Sequence, residues 1–325
     1  MLLPEEPAVL EVRHAVRRWI DRYARDGDIA VGLSGGADSL ALTAAAAAEA
    51  RSVRGLVVDH QLQPGSADVA GEAAERAMAL GCASVEVLPV EVDGPGGMEA
   101  AARTARYAAL DSARGSRPVL LGHTLDDQAE TVLLGLSRGS GGRSIWGMSA
   151  YDPPWGRPLL KVRRTVTRRV CAELGLTPYE DPHNASPDFV RVRLRTEVLP
   201  LLEDVLGGGV AAALGRTADQ LREEGAVLDA VAAKATAAAV VDGGIDVAVL
   251  AGSAAPIRRR VLRSWLLAAG ARSLGDRQLR AVDDLVAQWR GQGPVAIGGG
   301  TPEARLVVSR RRGRLNVGLD YQRRV

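Results

Sequence analysis

The sequence predicts an α/β fold: a parallel sheet with helices on both faces, followed by a mainly helical region with a small β element. Three observations predict it. Short apolar runs alternate with helical stretches from the N-terminus to about Leu136, as in stacked βαβ units. A string of Ser and Gly residues sits where the first of those runs gives way to a helix. From about Thr165 helices dominate until three short apolar runs separated by Gly close the chain.

Each element has its own signal. Glu11–Ala24 places Val12, Val16, Trp19, Ile20 and Tyr23 on one side, an amphipathic helix. Ile29–Leu33 reads as a buried strand and Ser39–Ala50 as an Ala-rich helix. Gly55–Val58, Val85–Val90 and Val119–Gly122 are the next strands, interleaved with helices at about Ala67–Leu80, Met98–Ala113 and Asp126–Leu136. Between about Arg138 and Pro158 the Gly, Ser and Pro content predicts a long loop. Helices are expected at Thr165–Leu174 and Phe189–Leu202, then in Ala-rich stretches to about Val241, and again at Pro256–Ala269 and Asp276–Arg290. The closing strand-like runs are Val295–Ile297, Ala304–Ser309 and Leu315–Val317. Gly207–Gly209 and Asp242–Gly244 are the expected boundary segments.

Charge is uneven although the net is only +2. Residues 1–150 carry 14 Arg and no Lys against 20 acidic residues; the remainder is net basic, and Lys161 and Lys234 are the only lysines. This fits a catalytic part followed by a region that docks a polyanion, and fits equally well surface charge that happens to segregate. The two cysteines, Cys82 and Cys171, form no close pair, so neither a zinc site nor a disulfide framework is indicated, and the cytoplasm is the expected compartment. Glu5 and Glu6 stand where a signal peptide wants basic residues, and no apolar run is long enough to span a membrane. The oligomeric state stays open, a homodimer included.

The most informative stretch is SGGADS, Ser34, Gly35, Gly36, Ala37, Asp38 and Ser39, directly after the first strand. Glycines let backbone N–H groups converge on one anion, a helix N-terminus adds partial positive charge, and the two hydroxyls donate. It is not a Walker A loop, since the Gly-Lys-Ser/Thr ending is absent. Asp38 would repel a phosphate unless a cation intervened, which calls for Mg²⁺ between them. A plain helix cap is the competing reading of SGG alone. The six-residue string after a buried strand resembles the PP-loop of the N-type ATP pyrophosphatases, which cleave ATP between the α and β phosphates.

Further stretches resemble the tRNA(Ile)-lysidine synthetase family: VVDHQL (Val57–Leu62), MEAAARTARYAAL (Met98–Leu110), GHTLDDQAETVLLGLSRGSG (Gly122–Gly141), RPLL (Arg157–Leu160) and YEDPHNASPDFVRVRLRTEVLP (Tyr179–Pro200). The resemblance implies an adenine nucleotide alpha hydrolase-like catalytic domain over residues 1–205 and a helical, tRNA-contacting domain over 206–325. It also implies a ligase that uses ATP and Mg²⁺ to join free L-lysine to C2 of the wobble cytidine of tRNA(Ile) with a CAU anticodon, through an adenylated cytidine. On that reading Asp38 and Asp127 share the metal, His123 meets the ATP phosphates, and Arg103 neutralises the α-phosphate. Glu130 receives the ammonium of lysine, while Arg191, Arg193 and Arg195 contact tRNA. Other arginine clusters, at 163–164, 168–169, 258–260 and 310–312, are further candidates for RNA contact. The chain departs from the family at Gln61, Gln63 and Val192, and it is expected to lack the second C-terminal domain of longer members. Two rivals explain less. A sulfur-inserting tRNA enzyme would place cysteines in these motifs, and an ammonia- or glutamine-dependent synthetase for small molecules leaves the basic half unused.

Overall fold

The computed structural model describes residues 3–94, 97–139, 141–181, 186, 188–301 and 303–321. Two compact units emerge, Met1–Leu134 with Gly147–Ala218, and Gly135–Trp146 with Asp219–Val325.

The first unit is built on a six-stranded sheet. Its strands are β1 (Asp28–Leu33), β2 (Ser52–Asp59), β3 (Ser84–Pro89), β4 (Val119–Leu121) and a short hairpin of β5 (Tyr151–Asp152) and β6 (Trp155–Gly156), in the order β3-β2-β1-β4-β6-β5. All neighbours run parallel except the β5–β6 pair. Strand β1 is buried along nearly its whole length because helices cover both faces. On one face lie α1 (Pro7–Tyr23), α2 (Ala37–Glu49), α3 (Ser66–Ala79) and α6 (Arg164–Glu173), whose Val12, Val16, Leu40, Ala73 and Val170 join Val31 and Leu33 in one core. On the other, α4 (Met98–Ala113) sends Leu110 and Tyr107 against Ala30, Leu56 and Leu121.

Strand order places the site. The chain leaves β1 toward β2 on one side, while β4 lies on the other, so the β1–β4 boundary is where connections diverge and a crevice opens at the strand C-termini. The loop after β1 carries SGGADS into α2; the loop after β4 carries His123 into α5 (Leu125–Ser137). A Cβ on Gly122 would lie 3.0 Å from the Asp38 carbonyl carbon, so only glycine lets these two loops touch without displacement. Gly122→Ala is therefore expected to cost about 1–3 kcal/mol in urea unfolding and to weaken nucleotide binding.

The expected 138–158 loop contains a 3₁₀ turn (Gly142–Ile145) and the β5–β6 hairpin. Trp19 donates its indole N–H to the Ala150 carbonyl at 2.8 Å, and a Cβ at Gly156 would strike the Trp19 ring, so the hairpin is fixed by packing. The helix expected at Phe189–Leu202 is α7 (Val190–Arg193), a π-helical turn (Leu194–Val198) and α8 (Leu199–Val205). Then α9 (Val210–Ala239) follows.

The second unit holds a five-stranded antiparallel sheet, order β7-β8-β11-β10-β9. Its strands are β7 (Val240–Val241), β8 (Gly244–Asp246), β9 (Val295–Thr301), β10 (Ala304–Arg311) and β11 (Arg314–Tyr321). Asp242 and Gly243, read from sequence as a boundary, form the two-residue turn of the β7–β8 hairpin, both with positive φ. Helices α10 (Val247–Ala251), α11 (Ala255–Ala268) and α12 (Asp276–Ala287) complete the unit; Leu262, Leu266, Val282 and Leu285 pack with Val308 and Leu315. Among the described residues no single helix is long and apolar enough to cross a membrane.

Candidate active site

The PP-loop is preorganised by its own side chains. The Ser34 N–H donates to Ser39 Oγ at 3.2 Å, and Ser39 Oγ–H donates to the Gly36 carbonyl at 2.9 Å, so Ser39 ties the loop to itself. Gly35 adopts φ +77°, and its carbonyl accepts the Tyr179 N–H at 3.0 Å. No side chain caps α2, which leaves the N–H groups of its first turn facing the crevice, the arrangement that attracts an anion.

Across the crevice, Thr124 and Asp127 form a capping box at the start of α5. The Thr124 N–H and hydroxyl donate to Asp127 Oδ2 at 2.7 and 2.8 Å. This fixes one carboxylate oxygen of Asp127 and leaves Oδ1 for other partners. Burial opposes ionisation of Asp127, but Arg164, Thr124 and His123 together hold its carboxyl below the usual range. For Asp38 burial dominates and pushes the pKa up, against the Thr167 hydroxyl and Arg164. Glu130, one turn beyond Asp127, is fully buried.

Arg163, Arg164, Arg168 and Arg169 are candidates for RNA contact from the sequence, with a solvated helical face as the competing reading. Arg164, the first residue of α6, instead reaches into the carboxylates: Nη2 lies 2.5 Å from Asp127, Nη1 3.3 Å from Glu130 and Nε 3.4 Å from Asp38. Thr167, one turn along α6, donates its hydroxyl to Asp38. Arg163 pairs with Asp126, and Arg169 with Glu173. Of the three arginines assigned to tRNA, Arg195 binds Glu130 at 2.9 Å from the π-helical turn and Arg193 pairs with Glu197, while Arg191 is half-buried. In the second unit Arg258 pairs with Asp283, and Arg260 with Asp229. Arg311, Arg312 and Arg314, at the β10–β11 turn, are exposed.

Together these elements line a cleft of about 810 Å³ that includes Gly36, Asp38, Arg106, His123, Asp127 and Arg164. A second cavity of about 190 Å³ shares Ser34, Arg106, Tyr179 and Asp181 with it and is walled by Leu33, Val57, Val58, Val69 and Ala70. A large cleft at the PP-loop adjoining a smaller cavity, apolar on one wall and lined by Asp59, His60 and Gln61 on another, offers room for a nucleotide.

Helix α4 supplies two arginines with different surroundings. Arg103 is exposed, lies over the Tyr107 ring at 4.8 Å and donates to its hydroxyl; it is absent from both cavity walls. Arg106 lines both cavities and meets no carboxylate among the described residues; burial, and Arg103 nearby, lower its pKa. A guanidinium without a counter-ion at a cavity wall is a waiting anion site. The sequence signal was present in TARY, but nothing in the spacing says which arginine turns inward.

His123 lines the cleft with Nδ1 buried and unpartnered among the described residues. Burial, then Arg106, Arg157 and Arg103, push its pKa down to about 3 despite Asp127. The unfolded chain therefore binds this proton more readily. The contribution to stability is complete above about pH 6.5 and falls away as pH drops toward 3. Imidazole NMR signals of His123 are expected to stay those of the neutral ring from pH 5 to pH 8; a midpoint near 6.5 would contradict this environment.

Cys82 and Cys171 lie outside both cavities, are buried, and have thiols pushed up to about 11 by burial. Such thiols are inert, and sulfur chemistry finds no nucleophile here. The stretch 182–185 and residue 187, part of the motif that begins at Tyr179, lie outside the described residues.

Comparison with known proteins agrees with this geometry. Residues 9–202 match the PP-loop domain family and residues 245–315 the TilS substrate binding domain. The tRNA(Ile)-lysidine synthase of Rhodococcus jostii is 83% identical over 325 residues, all of both chains. That of Nocardia farcinica is 66% identical over 94% of this chain and 97% of its own length, and that of Mycobacterium tuberculosis 60% over 96% and 97%. Among solved structures, the U34-tRNA thiolase NcsA of Methanococcus maripaludis superposes with a TM-score of 0.55 at 17% identity, covering 67% of this chain and 81% of that one, a likeness of fold. With the PP-loop domain matched over most of the first unit and full-length relatives so similar, the chain belongs to the tRNA(Ile)-lysidine synthase family, tRNA-modifying ligases built on a PP-loop ATP pyrophosphatase domain.

Proposed function

We propose that the protein ligates free L-lysine to C2 of the wobble cytidine of tRNA(Ile) with a CAU anticodon, spending ATP to adenylate the cytidine first. The observation that carries this reading is the convergence of an uncapped helix N-terminus, a carboxylate pair and an arginine with no carboxylate partner among the described residues on one cleft beside a cavity with an apolar wall. Adenine fits against the apolar wall of the smaller cavity, with the polyphosphate over Gly35–Ser39. Arg106, placed where the two cavities meet, balances charge that builds on the α-phosphate as the cytidine O2 attacks and pyrophosphate leaves. Neutral His123 donates its one ring N–H to a phosphate oxygen.

Asp38 and Asp127 fit a divalent cation, because both already bind a single guanidinium and so enclose a place for positive charge. Mg²⁺ held there would neutralise the leaving pyrophosphate. Among the described residues no group of three or more His, Cys, Asp or Glu side chains forms a metal cage. Glu130 is assigned to the ammonium of lysine, whose ε-amine displaces AMP from C2; in the free protein Arg164 and Arg195 fill that place. The exposed arginines of the β10–β11 turn give the second unit a phosphate-binding edge for tRNA, and the reaction belongs in the cytoplasm.

Product analysis with ATP labelled at the α-phosphate tests the class of chemistry. Label is expected in AMP, with release dependent on tRNA. Label in ADP would rule out α–β cleavage and the PP-loop role assigned to Gly35–Ser39.

A further inference from the structure

Arg164 is in an electrostatically costly place for a cation, the first residue of a helix, where the dipole presents positive charge. Asp126 compensates by accepting the Arg164 N–H at 2.8 Å. What the guanidinium gains is contact with three carboxylates through three different nitrogens: Asp38 from α2, and Asp127 and Glu130 from α5. The side chain is 15% exposed, and Thr167 and Arg195 add further bonds to the same carboxylates. Every negative charge at the proposed metal position is thus already answered by protein.

A divalent ion and this guanidinium cannot hold the same oxygens. Mg²⁺ draws its ligands to roughly 2.0–2.1 Å, and two cations at one carboxylate pair repel. We propose that Arg164 is an exchangeable counter-ion: loading of the metal displaces it from Asp38 and Asp127, and the freed guanidinium turns to the nucleotide polyphosphate in the adjoining cleft. Arg164 then suppresses metal binding in the empty enzyme and couples metal to ATP, since each ligand removes a cost the other would meet. This rests on the reading that Asp38 and Asp127 hold the metal.

The test is Mn²⁺ binding to the full-length protein, read by the electron paramagnetic resonance of free Mn²⁺, with and without a non-hydrolysable α,β-methylene ATP. Without nucleotide, Arg164→Met is expected to bind Mn²⁺ at least ~10-fold more tightly than wild type, because the competing cation is gone. With the analogue, wild type gains affinity and the variant gains several-fold less. Arg164→Lys keeps a charge that cannot span three carboxylates; it is expected to fold should the methionine variant not, and to shift Mn²⁺ affinity in the same direction by less. Unchanged or weaker Mn²⁺ binding in both variants would overturn the exchange. Asp38→Asn separates the two readings: loss of the Mn²⁺ site there, with Arg164 variants like wild type, leaves the metal assignment standing and removes the exchange. Retention of the site in Asp38→Asn removes both.

Discussion

Asp38→Asn is expected to lower tRNA-dependent pyrophosphate release by ~10²–10⁴-fold while leaving tRNA affinity within about twofold of wild type. The substitution keeps shape and removes charge. Asn can still accept the Thr167 hydroxyl, and Arg164 keeps Asp127 and Glu130, so the fold has little reason to fail. What is lost is one of the two carboxylates proposed to hold the cation at the mouth of the PP-loop. On the proposed function the effect belongs in kcat rather than KM, because the cation would act on charge that develops as the α–β bond breaks. Turnover within tenfold of wild type would mean that Asp38 serves only to anchor α6.

The second large effect is expected at Arg106. Arg106→Met should lower kcat by ~10²–10³-fold and raise the KM for ATP, since the only arginine among the described residues that lines both cavities is gone. The same change is expected to leave the melting temperature unchanged or higher. Arg106 has no carboxylate partner among the described residues, and burial already lowers its pKa, so in the free protein its charge is a cost. Few substitutions separate so cleanly: a residue kept for packing would lose stability and activity together. Arg103→Met gives the internal comparison, because its guanidinium rests on the Tyr107 ring outside both cavities. A larger loss from Arg103 than from Arg106 would return the α-phosphate to the outer arginine.

Much of the first unit was legible because its signals are local. The α4 boundaries, Met98–Ala113, are those read from the sequence, and β1 to α5 fall within a few residues of expectation, since apolar runs bounded by Gly and polar turns are buried parallel strands. SGGADS was legible for the same reason: glycine conformations, a helix start and two hydroxyls are written within six residues. The hairpins β5–β6 and β7–β8 were not, because strands of two or three residues are too short to show a period. The π-helical turn at Leu194–Val198 has no sequence signature of its own; it brings Arg195 onto Glu130, a contact between residues 65 apart.

The site was legible in part. Asp38, His123 and Asp127 line one cleft, and buried Glu130 joins them through Arg164, where the two loops after β1 and β4 had to meet once the sheet order was set. The arginines were harder to read. Sequence counts charges but not which way they face: Arg164 and Arg258 end on largely buried carboxylates, and Arg163 and Arg260 pair with Asp126 and Asp229. Arg164 left one trace, a basic residue at the first position of a helix against the dipole, a placement that calls for a partner.

On the proposed function, this cleft joins lysine to one tRNA. The most direct measurement is incorporation of radiolabelled lysine, with ATP and Mg²⁺, into tRNA(Ile) bearing a CAU anticodon and, in parallel, into elongator methionine tRNA with the same anticodon. Label in the isoleucine tRNA alone is the expected result. Label in neither, with tRNA-stimulated pyrophosphate release intact, would contradict lysine as the nucleophile; equal label in both would contradict the claimed selectivity.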